Sequence, residues 1–351
     1  MNRRGALVAG AAATLAAFAP GHAQAQNAPD ASAAPPDAAL TPLGIGLEGY
    51  PYPHPVAFHQ WRESGQDVRM AYMDVVPGGT QRGAVLLMHG RNFPASYWEP
   101  VIAPLVAAGY RVIVPDQLAF GKSSKTELTY TFDLWARSTL GLLDALQIAQ
   151  LDLLVGHSIG GIMATKVARL APQRVARLLL QDPLALEDYR VLVPEVTDAF
   201  LYDRELHMSA AGYRQFLATN YFPTWRPAYE EFVTIRRRMA LSADYPQWVR
   251  VYIQSYQQLH RTPIADDLRA LPMPVQFVVG QLDTNAPGKP YAPEAVRPRL
   301  GHNADLARAI VATMRHARIE VVPGVGHVPH LEVPERFNAI VAAFAASPAN
   351  V

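Results

Sequence analysis

Three side chains in this sequence have the types and spacing for nucleophilic catalysis: Ser158, Asp283 and His327. A serine hydroxyl is a weak nucleophile near neutral pH. It needs a base to take its proton, a carboxylate to hold that base in the right tautomer, and donors for the developing oxyanion. Ser158 lies in Gly156-His157-Ser158-Ile159-Gly160, a G-x-S-x-G pattern. The apolar run Leu151–Val155 precedes it, and a helix-compatible stretch, 162–170, follows and stops near Pro172. A serine on a strand-to-helix turn is pushed out at the strand's C-terminal end, and flanking glycines let the backbone turn that tightly.

The candidate base is His327 in Gly324-Val325-Gly326-His327, just after the apolar strand Ile319–Val322. Its rival is His330. His157 sits inside the elbow with its ring expected to point away from the nucleophile, and His302 follows no strand. The candidate acid is Asp283, immediately after Val275–Val279. Asp182 also ends a strand and is its rival, although Asp182-Pro183 reads as a hinge into an insertion. One oxyanion donor is expected from the N–H of Ile159, after the nucleophile. The second is expected from the N–H of Arg91, on the loop after the strand Ala84–Met88. The Arg91 guanidinium, beside that site, is a candidate for binding a substrate carboxylate.

All these groups must sit on loops at the C-terminal edge of one parallel sheet. The chain offers such a sheet. Val56–His59 and Val68–Met73 read as an opening strand pair joined at Ser64–Asp67. Strands at 84–88, 111–114, 151–155, 175–180, 275–279 and 319–322 then alternate with helical stretches at 97–108 (containing Pro104), 131–147 and from Pro334 onward. Strands alternating with helices imply a mostly parallel sheet covered on both faces. The alternation lapses from about 184 to 262, a helical, aromatic-rich stretch read as an inserted cap. The organisation expected is a signal peptide (1–25), a flexible linker (26–43), a core in two parts (44–183 and 263–351) and the cap between them. The signal reading rests on Arg3-Arg4, a short apolar run to Ala19 and the small-x-small Ala23-Gln24-Ala25. It predicts a periplasmic or secreted protein, by a route for which the paired arginines suggest twin-arginine export, and no membrane span after cleavage.

Composition narrows the classes. The chain has 351 residues, half of them hydrophobic, with a formal net charge of +1. Nothing in that balance points to nucleic acid. There is no cysteine, which excludes disulfides and thiolate metal sites. Gly121-Lys122-Ser123 mimics the end of a phosphate-binding loop, but Asp116 stands where the first glycine is required. His327 and His330 lack a third metal ligand, so no metal is expected. Arg236-Arg237-Arg238 reads as a solvated face.

Taken together, His89-Gly90, Asp116 with Gly121-Lys122-Ser123, the Ser158 elbow, Gly280-Gln281-Leu282-Asp283 and Gly326-His327 resemble the α/β-hydrolase superfamily, in its Ser-His-Asp branch with a helical cap. The resemblance covers about residues 55–346. It implies acyl hydrolysis of ester, thioester or lactone bonds with no cofactor, and a small-molecule substrate. The cap's aromatics suggest an apolar or aromatic ester. Ser158 departs from the aspartate nucleophile of epoxide hydrolases and haloalkane dehalogenases. The elbow lacks the tryptophan of proline iminopeptidases. Arg91-Asn92-Phe93 replaces the glycine-rich segment of carbon–carbon bond hydrolases. Cofactor-free haloperoxidase or perhydrolase chemistry, carbon–carbon cleavage and a ligand-binding sensor stay open beside the esterase reading. The sequence sets no oligomeric state.

Overall fold

The computed structural model describes residues 40–348; the expected signal peptide, and the expected linker up to residue 39, lie outside them. The described chain builds one eight-stranded sheet in the order β1-β2-β4-β3-β5-β6-β7-β8. β1 (Val56–Glu63) and β2 (Gln66–Val75) form an antiparallel pair through the Ser64-Gly65 turn, and β2 is also antiparallel to β4 (Tyr110–Pro115). From β4 across β3 (Gly83–Met88), β5 (Leu153–His157), β6 (Leu178–Gln181), β7 (Val275–Gly280) and β8 (Ala317–Val322) every pairing is parallel. Both faces of β3 and of β5 to β7 are buried, which explains their largely apolar runs, whereas β8 at the sheet edge is only partly covered.

Two apolar cores flank the sheet. On one face α2 (Phe132–Ala145), α3 (Ile159–Leu170), the short α9 (Ala265–Arg269) and α10 (Asn303–Val311) pack on Leu86, Ile113 and Leu154. On the other, α1 (Glu99–Ala107) and α12 (Pro334–Ala345) pack on Val85, Val112 and Val155. The helix expected over 97–108 is divided: a 3₁₀ turn, Ala95–Trp98, precedes α1, and Pro104 is accommodated inside it. α2 starts where its sequence dictates, with the Thr131 hydroxyl accepting from the Leu134 N–H. A four-residue helix, α11 (Pro329–Glu332), directly follows the His327 loop.

Between β6 and β7 stand α4 (Tyr189–Leu192), α5 (Asp198–Leu206), α6 (Ala210–Asn220), α7 (Glu230–Ala240) and α8 (Tyr245–Arg261), the inserted cap. The residues just before β1 cross from the core to this cap. Leu43 is buried and its N–H donates to the Arg238 carbonyl, while Arg238 Nε donates to the Thr41 carbonyl. Lys122 from the core donates to the Leu47 carbonyl at 2.6 Å. Residues 40–50 therefore strap α7 to the core; within the stretch expected to be a tether, residues 41–43 are docked. Among the described residues no helix is long and apolar enough to cross a membrane.

Candidate active site

The chain runs outward from β3 to β4 and then returns to place β5 on the other side of β3, so the strand order reverses between β3 and β5. Ligands of open α/β sheets bind outside the C-terminal ends of strands at such a reversal. Register fixes what stands there. Met88 pairs with Gly156, so the His89–Arg91 loop emerges beside the Ser158 elbow. Gly280 pairs with Val322, which brings Asp283, three residues beyond one partner, next to His327, five beyond the other.

Ser158 adopts φ 57 and ψ −121, a conformation costly to a residue with a Cβ. Its neighbours make the turn feasible. A Cβ on Gly156 would lie 2.4 Å from the Gly160 carbonyl oxygen, and one on Gly160 would lie 2.5 Å from the carbonyl oxygens of Met88 and His89. Likewise, a Cβ on Gly280 would strike the Gly326 carbonyl oxygen, so the acid and base loops touch through glycine.

Ser158 is fully buried, and its Oγ has no hydrogen-bond partner among the described residues. His327 Nδ1 lies 3.0 Å from Asp283 Oδ2, at an angle too bent for a formed hydrogen bond. Asp283 is held by two further donors, the Asn285 N–H to Oδ1 (2.9 Å) and Asn303 Nδ2 to Oδ2 (2.8 Å). Asn285 Nδ2 in turn lies 3.1 Å from His327 Nε2, the nitrogen that would receive the serine proton. Among the described residues the N–H groups of Ile159 and Arg91 have no acceptor, whereas the Gly90 N–H is taken by the Tyr97 hydroxyl. The structure thus brings Ser158, Asp283, His327, Ile159 and Arg91 to one place.

The rival histidines do other work. His157 turns away from Ser158 and joins three loops: the Gly90 N–H donates to Tyr97, the Tyr97 hydroxyl is 2.8 Å from His157 Nδ1, and His157 Nε2 is 2.8 Å from the His327 carbonyl. His330 stacks on Trp98 at 4.2 Å and lies 3.0 Å from Gln181 Oε1. Burial holds both rings well below the usual histidine range, so they are neutral fixtures. His302 is exposed, at the start of α10. Asp116 is a structural hub that accepts from the Ala95 and Lys122 N–H groups and from the Tyr52 hydroxyl.

Asp182 is also fully buried here. Its ligand atoms and those of Asp283 and His327 all lie within 4.8 Å of one another, close enough to hold a cation. Asp283, however, already spends its oxygens on N–H donors, which suits an acid partner for His327 better than a metal ligand.

Above Ser158 lies a cavity of about 140 Å³ walled by the core loops and the cap. Its wall is aromatic, with Tyr221, Tyr252 and Tyr256, but it also carries Arg91, Arg204, Arg236 and Glu205. Burial alone would push the Glu205 carboxyl up; Arg236, Arg91 and Arg204 instead bring it down to about 2. Three guanidinium groups against one carboxylate leave the wall cationic. Arg91 donates to Ser255 Oγ (2.9 Å) and lies over the Tyr252 ring at 3.7 Å, yet its buried Nη2 has no partner among the described residues. The solvated face expected of Arg236–Arg238 is wrong at Arg236. α7 turns that residue inward with Val233 and Met239, and Glu205 and three cap aromatics receive it.

The sequence matches the model of the alpha/beta hydrolase family over residues 85–340. The chain belongs to that family. The structure of this hydrolase superposes over 88% of its length on 99% of a probable hydrolytic enzyme from Pseudomonas aeruginosa PAO1, with a TM-score of 0.85 and 35% identity. It is 27% identical over 283 residues, 76% of this chain and 89% of the relative, to a 2-hydroxy-6-oxo-6-phenylhexa-2,4-dienoate hydrolase of Burkholderia cepacia. It is also 38% identical over 133 residues to a 2-hydroxy-6-oxononadienedioate/2-hydroxy-6-oxononatrienedioate hydrolase of Paraburkholderia xenovorans (strain LB400). That match spans 35% of this chain and 43% of the relative, less than half its length.

Proposed function

We infer that this hydrolase uses Ser158, His327 and Asp283 to cleave a carboxylic ester or related acyl bond in a small substrate that carries a carboxylate. The observation that carries the reading is one cavity holding an unbonded, strained serine, two unclaimed N–H groups and an unpartnered arginine nitrogen. Ser158 Oγ attacks the carbonyl carbon as His327 Nε2 takes its proton, once Asn285 yields that nitrogen. The carbonyl oxygen becomes an oxyanion held by the Ile159 and Arg91 N–H groups. His327 returns the proton to the leaving oxygen; water, deprotonated by the same nitrogen, then releases the acyl group as His327 passes that proton back to Ser158 Oγ. Asp283 orients the ring throughout. The substrate's carboxylate would lie against the Arg91 guanidinium, where a bidentate pair forms in a partly dry site.

A second reading has support from the relatives. A 2-hydroxy-6-oxodienoate contains no ester, so its hydrolysis breaks a carbon–carbon bond beside the ketone, and it too carries a carboxylate. The test is a panel of 4-nitrophenyl esters with neutral and carboxylate-terminated acyl chains of matched length, run beside loss of dienoate absorbance. Ester turnover that favours the anionic chain and vanishes in Ser158→Ala supports the first reading; dienoate turnover alone moves the assignment to the second. Turnover that survives in Ser158→Ala refutes both. Export stays a proposal resting on residues 1–25; a mature N-terminus at Gln26 in periplasmic material would support it.

A further inference from the structure

Asp182 stands behind the triad without a role in the steps above. It follows β6 at φ 42, left-handed backbone that is expensive for a non-glycine residue and more so ahead of Pro183. Its N–H donates to the Val278 carbonyl and its Oδ1 accepts from the Gly280 N–H at 2.8 Å, so the strained position is firmly held. Oδ2 is buried and has no hydrogen-bond donor among the described residues. The two carboxyl groups are therefore unequal. Asp283 accepts from Asn285 and Asn303 and lies beside His327, whereas Asp182 has one donor and one bare oxygen.

We propose that Asp182 is a positioning residue of the triad: its un-ionised carboxyl donates a hydrogen bond from Oδ2 to Asp283, and it becomes the acid partner of His327 when Asp283 is removed. Two buried carboxyls this close do not both ionise. Burial, the Asp283 charge and, more weakly, Glu332 on α11 all push Asp182 well up, against the opposing pull of the Gly280 N–H. The groups facing it are thus Asp283 after β7, Glu332 on α11 and His327 after β8, with His330 bonded to the adjacent Gln181. Without Asp283, Asp182 releases its proton to solvent, and its carboxylate accepts from His327 Nδ1 directly or through one water in the vacated space.

The inference rests on the triad, not on the substrate, so its test uses phosphonylation of Ser158 by a small fluorophosphonate, with folding followed by thermal melting. In Asp283→Asn the amide fills the gap, blocks Asp182 and offers the ring the wrong partner, and the rate falls by about 10⁴-fold. Asp283→Ala opens the gap, and its rate falls only about 10- to 100-fold, with an alkaline rise as Asp182 ionises. Adding Asp182→Asn to Asp283→Ala drops the rate to that of Asp283→Asn and removes the rise. A purely structural Asp182 gives the reverse order, with alanine worse than the isosteric asparagine. Should Asp283→Ala not fold, Asp283→Ser carries the same comparison. Infrared difference spectra of wild type minus Asp182→Asn at pH 8 should show the carbonyl stretch of a neutral carboxylic acid. Asp283→Ala at or below Asp283→Asn, or no such band, overturns the proposal while leaving the triad standing. A wild type that does not react overturns both.

Discussion

Replacing Ser158 by glycine should abolish turnover and raise stability, and the size of the gain follows from the elbow. At φ 57 and ψ −121 a side chain costs about 1–3 kcal/mol. Glycine escapes that cost but loses roughly 0.5–1 kcal/mol more in backbone freedom on folding. The net gain is about 0–2.5 kcal/mol, with a midpoint near 1 kcal/mol. Ser158→Ala is the control, because it removes the same buried, unpartnered hydroxyl but keeps the Cβ and the strain. At about 2.1 cal/mol/K of unfolding entropy per residue, 1 kcal/mol moves the melting temperature of a domain this long by about 1.5 °C. Glycine should therefore melt about a degree or two above alanine in differential scanning calorimetry, at equal protein concentration and pH. A glycine variant melting below the alanine variant would refute the claim that the elbow stores strain.

Three further outcomes follow from the site. Tyr97→Phe removes the hydroxyl between the Gly90 N–H and His157, so it should slow turnover about tenfold, mainly in kcat, and a wild-type kcat would show that the bridge positions nothing. Arg91→Met should raise KM for carboxylate-terminated esters at least tenfold while leaving neutral esters within a few fold; equal effects on both would remove the anion subsite. His330 is held well below the usual histidine range by burial, so the unfolded chain takes up a proton that the native state refuses. Its contribution to stability is complete above about pH 6.5 and shrinks as pH falls below it, by up to about 1.4 kcal/mol per pH unit. His330→Phe should accordingly lose less stability than wild type between pH 6.5 and 5.5 in urea titrations, and parallel losses would contradict the sign.

The sequence made the sheet readable because its central strands are apolar on both faces and punctuated by glycine, proline and charged turns. Ser158, Asp283 and His327 were legible for the same reason: each follows a strand directly, and strand ends converge. Asn285 carried a local trace, since its N–H closes a turn on Asp283 two residues earlier. Asn303 carried none; it reaches Asp283 only because α10 packs beside β7. Arg236 was misread because three consecutive arginines look solvated until the helix phase is known. The cationic wall was likewise hidden, since Arg91, Arg204 and Arg236 come from three distant segments.

The strap formed by residues 40–50 changes what kind of lid the cap is. Its covalent attachments are the two connections to β6 and β7, which alone would let it swing like a flap on one edge. The Leu43 and Thr41 bonds to Arg238, with Lys122 gripping Leu47, add a third attachment at α7. A flap tied at a third point swings less freely than one hinged along a single edge. Entry to the Ser158 cavity would then lean less on movement of the whole cap and more on wall side chains such as the stacked Arg91 and Tyr252.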